Sequence, residues 1–141
     1  MNWLLDTDVI CQPAKRHGDT RVIQCMRQER DQCFTSAIVI AQLAYRVRSK
    51  EGRQRQDLQD WLRRLVDALG GRILGFNVFV AQVWADQEIL LEKQGQRMPV
   101  EDGYFAATAR RHGLVFVTRN DKDFRRPGLK VFNLFKELPQ D

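Results

Sequence analysis

At 141 residues the chain has room for one domain with a sizeable core and is too short for two of comfortable size. Its 23 Lys and Arg against 18 Asp and Glu leave a net charge of +5 and a pI near 9.4, a mild bias toward an anionic partner that many proteins without nucleic-acid contacts share. Cys11, Cys25 and Cys33 lack C-x-x-C or Cys/His zinc spacing, no apolar run approaches a membrane span, and the first six residues lack the basic start and apolar region of a signal peptide. A soluble, cytoplasmic protein with reduced, mostly buried thiols is expected.

The short apolar run Trp3-Leu4-Leu5 predicts a strand, and Asp6-Thr7-Asp8 stops it with side chains suited to capping a helix that carries Val9, Ile10 and Ala14. A polar break at His17-Gly18-Asp19-Thr20 precedes a second helix with Val22, Ile23 and Met26 at helical spacing. Residues 32–35 read as a strand entering a helix at Ser36, whose apolar face includes Ile38, Ile40, Leu43 and Val47. The next segment is charged and Gln-rich, with Leu58, Trp61, Leu62, Leu65, Val66 and Leu69 on one face. It is better explained as an amphipathic surface helix with solvated arginines than as a basic RNA-contacting patch. Gly70-Gly71 ends it.

A short strand over 72–76 leads to Asn77 as the cap of a helix running to Gly95, with Val80, Val83, Trp84, Leu90 and Leu91 on a mostly apolar stripe. Pro99 and the pair Glu101-Asp102 mark another helix start, Ala106, Ala107 and Ala109 permit close packing, and Gly113 ends it. The apolar run 114–117 is expected of a strand buried on both faces, broken by Thr118-Arg119-Asn120-Asp121. Residues 129–133 predict a last strand, and the tail from Lys136 a loosely ordered end. His17 and His112, each beside a glycine, suit solvated or capping roles. Strands alternating with helices imply an α/β three-layer sandwich, a short, mostly parallel sheet with helices on both faces.

In such a sheet the carboxyl ends of the strands share one edge, where Asp6, the Ser36 helix start, the Thr118–Asp123 turn and Asp102 can converge. Clustered carboxylates repel one another unless a cation compensates, and a hard divalent ion can activate water and shield a phosphodiester. Each acid also has a plain structural role: Asp6 as a cap, Glu101 and Asp102 as first-turn acids, Asp121 and Asp123 as turn formers. Spacing alone leaves metal-dependent hydrolysis and structural capping both open. No Gly-rich phosphate loop or Ser/His/Asp pattern competes.

Four segments, LLDTDVI (from Leu4), TSAI (from Thr35), PVEDGYFAATA (from Pro99) and VTRNDKDF (from Val117), resemble the PIN-domain toxins of the VapC and FitB type, in order and spacing across essentially the whole chain. The resemblance implies a Mg²⁺- or Mn²⁺-dependent ribonuclease of a bacterial type II toxin–antitoxin module. It also implies a homodimer held in check by a VapB-like antitoxin, whose tail occupies the active-site groove and through which alone DNA is bound. Asp6 matches the family's first acid and Asp102 its third, both as metal ligands. The second, normally Glu, is Gln42. The fourth, more variable, is Asn120, also a ligand position, with Asp123 able to assist. Thr118 matches the hydroxyl that orients the cluster, and Asp8 stands where Asn is common.

Gln42 keeps the shape of Glu and loses its charge. At an effective dielectric near 20, a carboxylate about 4 Å from a cation contributes ~4 kcal/mol before desolvation, so metal binding should suffer. The chain is accordingly either a disabled variant or a natural member of reduced activity. Two functions follow: an endoribonuclease toxin, with Arg46, Arg48, Lys50, Arg110, Arg111 and Arg119 available to guide RNA, or a catalytically weak PIN domain that serves chiefly as an antitoxin-binding partner.

Overall fold

The computed structural model describes residues 1–137, and 138–141 lie outside the described residues. Five strands, β1 (Trp3–Leu5), β2 (Cys33–Ser36), β3 (Ile73–Leu74), β4 (Val115–Val117) and β5 (Val131–Phe132), form one sheet in the order β3-β2-β1-β4-β5. Every neighbouring pair is parallel. Parallel strands need crossovers, and six helices supply or flank them: α1 (Thr7–Ile10), α2 (Thr20–Gln28), α3 (Ala37–Arg48), α4 (Gly52–Leu69), α5 (Val78–Lys93) and α6 (Val100–His112). The chain builds outward from β1 through β2 to β3, then returns to the other side of β1 for β4 and β5. The reversal of strand order therefore falls between β1 and β4, the place where open parallel sheets present their ligand crevice.

Register fixes what stands at that crevice. Leu5 is level with Thr35 on one side and Val117 on the other, so the next residues, Asp6, Ser36 and Thr118, emerge side by side. The Asp6 N–H donates to the Val117 carbonyl at 2.9 Å, carrying the pairing one residue past the strand. Beneath them Leu4, Leu5, Phe116 and Val117 are buried, as strands covered on both faces must be. Phe116 packs against Phe105 of α6 (ring centroids 5.8 Å) and Phe124 (4.5 Å), so the core also anchors the far end of the turn after β4.

Three elements are shorter than expected. The strand over 72–76 contracts to Ile73–Leu74 and that over 129–133 to Val131–Phe132. Both are edge strands with a single neighbour, and the Arg72 side chain turns back to the carbonyls of Arg30, Cys33 and Ala68. The helix after Asp6 divides into α1 and a 3-10 turn at Gln12–Ala14, since Pro13 offers no N–H and its ring crowds the carbonyl four residues back. The second strand ends one residue later than expected, at Ser36, whose hydroxyl accepts from the Ile38 N–H and starts α3. Of the loose tail expected from Lys136, residues 138–141 lie outside the described residues; the Lys136 N–H donates to the Asn133 carbonyl and its ammonium lies 3.3 Å from Asp121.

All three cysteines are free and buried. No helix among the described residues is long and apolar enough to cross a membrane.

Candidate active site

Asp6 is positioned three ways at once. Its backbone extends β1, its carboxyl Oδ1 accepts from the Thr7 N–H at 2.7 Å, and its Oδ2 accepts from the Thr118 hydroxyl at 2.7 Å. Thr118 has no solvent exposure, and its hydroxyl oxygen also accepts from the Asn120 N–H at 3.1 Å. One buried threonine thus ties the first acid to the turn after β4. Burial pushes the Asp6 carboxyl above the ordinary range, opposed by the Thr118 and Thr7 hydrogen bonds; nearby Asp8 pushes the same way as burial and Arg46 against it.

Asp102 enters from α6, in the first turn of a helix that Pro99 opens without any side-chain cap. Its carboxyl is also raised, first by burial and then by the negative charges of Asp6, Asp123 and Glu101, with Arg126 opposing. The charges of Asp6, Asp123 and Glu101, from three separate segments, therefore all bear on Asp102. Arg126 is itself held away, donating to the carbonyls of Gln96 and Arg97.

Gln42, on α3, is oriented at both ends. Its Oε1 accepts from the Thr7 hydroxyl, and its Nε2 donates to Glu101 Oε1 at 2.9 Å. Glu101, expected to serve only the helix start, is thereby drawn toward the edge that Asp6 and Asp102 share. Nothing in the local sequence pairs residues 42 and 101, which come together only when α3 and α6 pack beside β1. Asn120 and Asp123 are exposed at the turn Asp121–Phe124, Asn120 opening it without a side-chain cap.

Asp121 takes no part in this cluster. It is buried and accepts from Asn133 Nδ2 at 3.0 Å, Arg125 at 3.0 Å and Lys136 at 3.3 Å, which together hold its carboxyl well below the ordinary range. Asn133 also donates to the Arg119 carbonyl, so the pair pins the turn to the end of β5. The sequence signal for this lock was slight: an Asp in a turn and an Asn after a strand, twelve residues apart.

Among the described residues no three His, Cys, Asp or Glu side chains are grouped so as to cage a metal ion. Mg²⁺ habitually keeps several waters and uses one or two carboxylates, and Asp6 with Asp102 fits that donor set, the charge that Asp6 brings to bear on Asp102 being what a cation would relieve.

The arginines divide by environment. Arg110 is half-buried and donates from Nε to Gln87 Oε1 at 2.8 Å between α5 and α6, so it belongs to packing. Arg111 lies over the Phe79 ring at 4.8 Å and Arg119 over the Phe135 ring at 3.9 Å. Arg46 remains near the site, 3.6 Å from Asp8, and lines a cavity of about 500 Å³ with Lys15, Arg16, Lys50, Leu58 and Trp61. That cavity lies between the end of α1, α3 and α4, with a basic rim and an apolar floor.

Residues 3–129 match the PIN-domain profile. The chain belongs to the PIN-domain family. Within it the chain is 32% identical over 133 residues to the toxin FitB of Neisseria gonorrhoeae, covering 92% of this chain and 96% of FitB. It is likewise 32% identical over 133 residues to the VapC ribonuclease Y4jK of Sinorhizobium fredii, covering 92% of this chain and 95% of the relative. Among solved structures it is similar to FitAcB from Neisseria gonorrhoeae, with a TM-score of 0.87 at 31% identity over 94% of this chain and 97% of that one. It is also similar to FitAB bound to an IR36 DNA fragment, with a TM-score of 0.88 at 28% identity over 97% of both chains. The PIN domain is thus of the FitB and VapC toxin type, and its all-parallel five-stranded sheet is the PIN fold of those toxins.

Proposed function

We propose that the protein is a divalent-metal-dependent endoribonuclease, the toxin of a type II toxin–antitoxin module acting in the cytoplasm. The observation that carries this is the pairing of Asp6 and Asp102 at the strand-order reversal, both carboxyls raised by burial and Asp102 further by the charge of Asp6, in a chain whose relatives include named ribonucleases. Asp6 and Asp102 would hold a hydrated Mg²⁺ or Mn²⁺, with the Asn120 amide as a further oxygen donor and Asp123 assisting through its charge. The bound ion would supply charge neutralisation at the phosphodiester and a more acidic water. The chain's own part is orientation: the Thr7 N–H and Thr118 hydroxyl each take one oxygen of Asp6, leaving the remaining lone pairs directed outward. The basic rim around Arg46 favours a polyanion beside the site.

The test is cleavage of total cellular RNA by purified protein with Mg²⁺ or Mn²⁺. Metal-dependent cutting that Asp102→Asn abolishes is expected, and no cutting by either the parent or Gln42→Glu would refute the proposal.

A second function, binding of a VapB-like antitoxin as the principal role, is favoured by the uncharged Gln42 and Asn120 and by the likeness to FitAB on DNA. The exposed apolar side chains Val78, Phe79, Ile89, Leu90 and Val100 favour a homodimer. Growth arrest on expression, relieved by co-expressing the neighbouring small open reading frame, supports the toxin. Stable complex formation without arrest or RNA cleavage supports the binding role.

A further inference from the structure

We propose that Glu101 supplies the negative charge that Gln42 lacks, so that the tethered pair Gln42–Glu101 serves as a third anionic member of the site; this rests on the metal-dependent function above. Glu101 is here a positioning residue, acting beside Asp102 and through the Gln42 amide.

The amide has only one orientation open to it. An ionised carboxylate can only accept, so the nitrogen of Gln42 must face Glu101, and the oxygen then falls to Thr7, whose hydroxyl donates to it. A glutamate at position 42 could not make the same contact. Two ionised carboxylates at the 2.9 Å separation seen between Gln42 Nε2 and Glu101 Oε1 repel, and would need a proton or a cation between them. Gln42 turns that repulsion into a hydrogen bond.

The tether matters because of what Glu101 would do without it. A long, exposed first-turn acid is favoured by the helix dipole whatever its rotamer, and is otherwise free to extend into solvent. Bonded to Gln42, it sits where its charge acts on Asp102 in company with Asp6 and Asp123. Among the described residues no Lys or Arg forms an ion pair with Glu101, so its charge is available to the site. An acid at position 42 and an acid at 101 held by an amide at 42 thus deliver the same charge to the same edge. The loss at Gln42 is a relocation by the reach of one side chain.

A charge swap tests this. Mn²⁺ binding to the full chain is titrated calorimetrically for the parent, Glu101→Gln, Gln42→Glu and the double variant Gln42→Glu/Glu101→Gln. Glu101 is exposed, so these variants should fold. Glu101→Gln should weaken Mn²⁺ binding about tenfold or more, and the double variant should return it to within about threefold of the parent. Rescue by moving the charge is an outcome that a purely structural bond would not give. In the metal-free protein the Gln42 side-chain amide ¹H–¹⁵N resonances should shift in Glu101→Ala, reporting the tether without any metal. Unaltered Gln42 resonances, or parent-like Mn²⁺ affinity in Glu101→Gln, would overturn the role of Glu101 while leaving the metal site standing. Absence of Mn²⁺ binding in the parent and in every variant, with the tether intact, would overturn the metal-dependent function and this role with it.

Discussion

Thr118→Val removes one hydroxyl from a side chain with no solvent exposure and keeps its shape, so its effect isolates the bond to Asp6 Oδ2. To the ionised Asp6 carboxylate this hydrogen bond is charge-assisted and worth ~1.5–3 kcal/mol. In acid, as pH falls through the folded-state value that burial holds above the ordinary one, the carboxyl takes up a proton and the lost bond is worth only ~0.5–1.5 kcal/mol. The sign follows from linkage. The folded-state pKa of Asp6 lies above the unfolded one, so its contribution to stability falls as pH rises through the folded value. Removing the Thr118 bond, which opposes that rise, enlarges the deficit at neutral pH. Urea unfolding of metal-free protein, with the parent subtracted at each pH, should therefore show Thr118→Val costing about 1–2 kcal/mol more at neutral pH than in acid. Thr118→Ser, which keeps the hydroxyl, should show little of this pH-dependent part. The Asn120 N–H also loses its acceptor in Thr118→Val, but that loss is neutral and the same at both pH values. A deficit independent of pH, or an equal pH dependence in Thr118→Ser, would refute the place given to Thr118 as the support of an ionised Asp6.

Asp121→Ala should cost about 1–3 kcal/mol, chiefly from the buried bond to Asn133, since Arg125 and Lys136 are 70% and 57% exposed and add little. Because the Asp121 carboxyl is held below the ordinary range, its contribution is fully present above about pH 4 and is lost as pH falls toward the folded value. Thermal unfolding of the parent should accordingly fall more steeply in acid than that of Asp121→Ala, and parallel curves would count against the lock. The Cys33 thiol, pushed up to about 12 mainly by burial, should resist iodoacetamide at about pH 8, where only ~0.01% is thiolate, and react once urea exposes it. Rapid alkylation of Cys33 in the native protein, mapped by mass spectrometry, would contradict its burial.

Much of this protein is written locally. The apolar run 114–117, the glycine at 113 and the acid at 102 each carry their meaning within a few residues, because burial on both faces, a left-handed helix end with φ +65° and a helix dipole are short-range demands. So the alternation of strands and helices and the positions of Asp6 and Asp102 are legible from the chain. The edge strands are shorter than their apolar runs because a strand's length depends on how many neighbours it has, which β-propensity does not encode. The split after Ile10 is encoded in Pro13, against the helical spacing of Val9, Ile10 and Ala14.

What only the tertiary structure decided is which polar groups meet. Residues 6, 36 and 118 become neighbours through the register of three parallel strands, and residues 7, 42 and 101 through the packing of α1, α3 and α6 around them. Asp121 and Asp123 look alike as acids in one turn. Burial against Asn133 makes the first a structural lock, while the exposed second directs its charge at Asp102. Hydrogen bonds and Coulomb interactions act over a few ångströms in space whatever the separation along the chain. The sequence could therefore name the acids, and only the fold could divide the work among them.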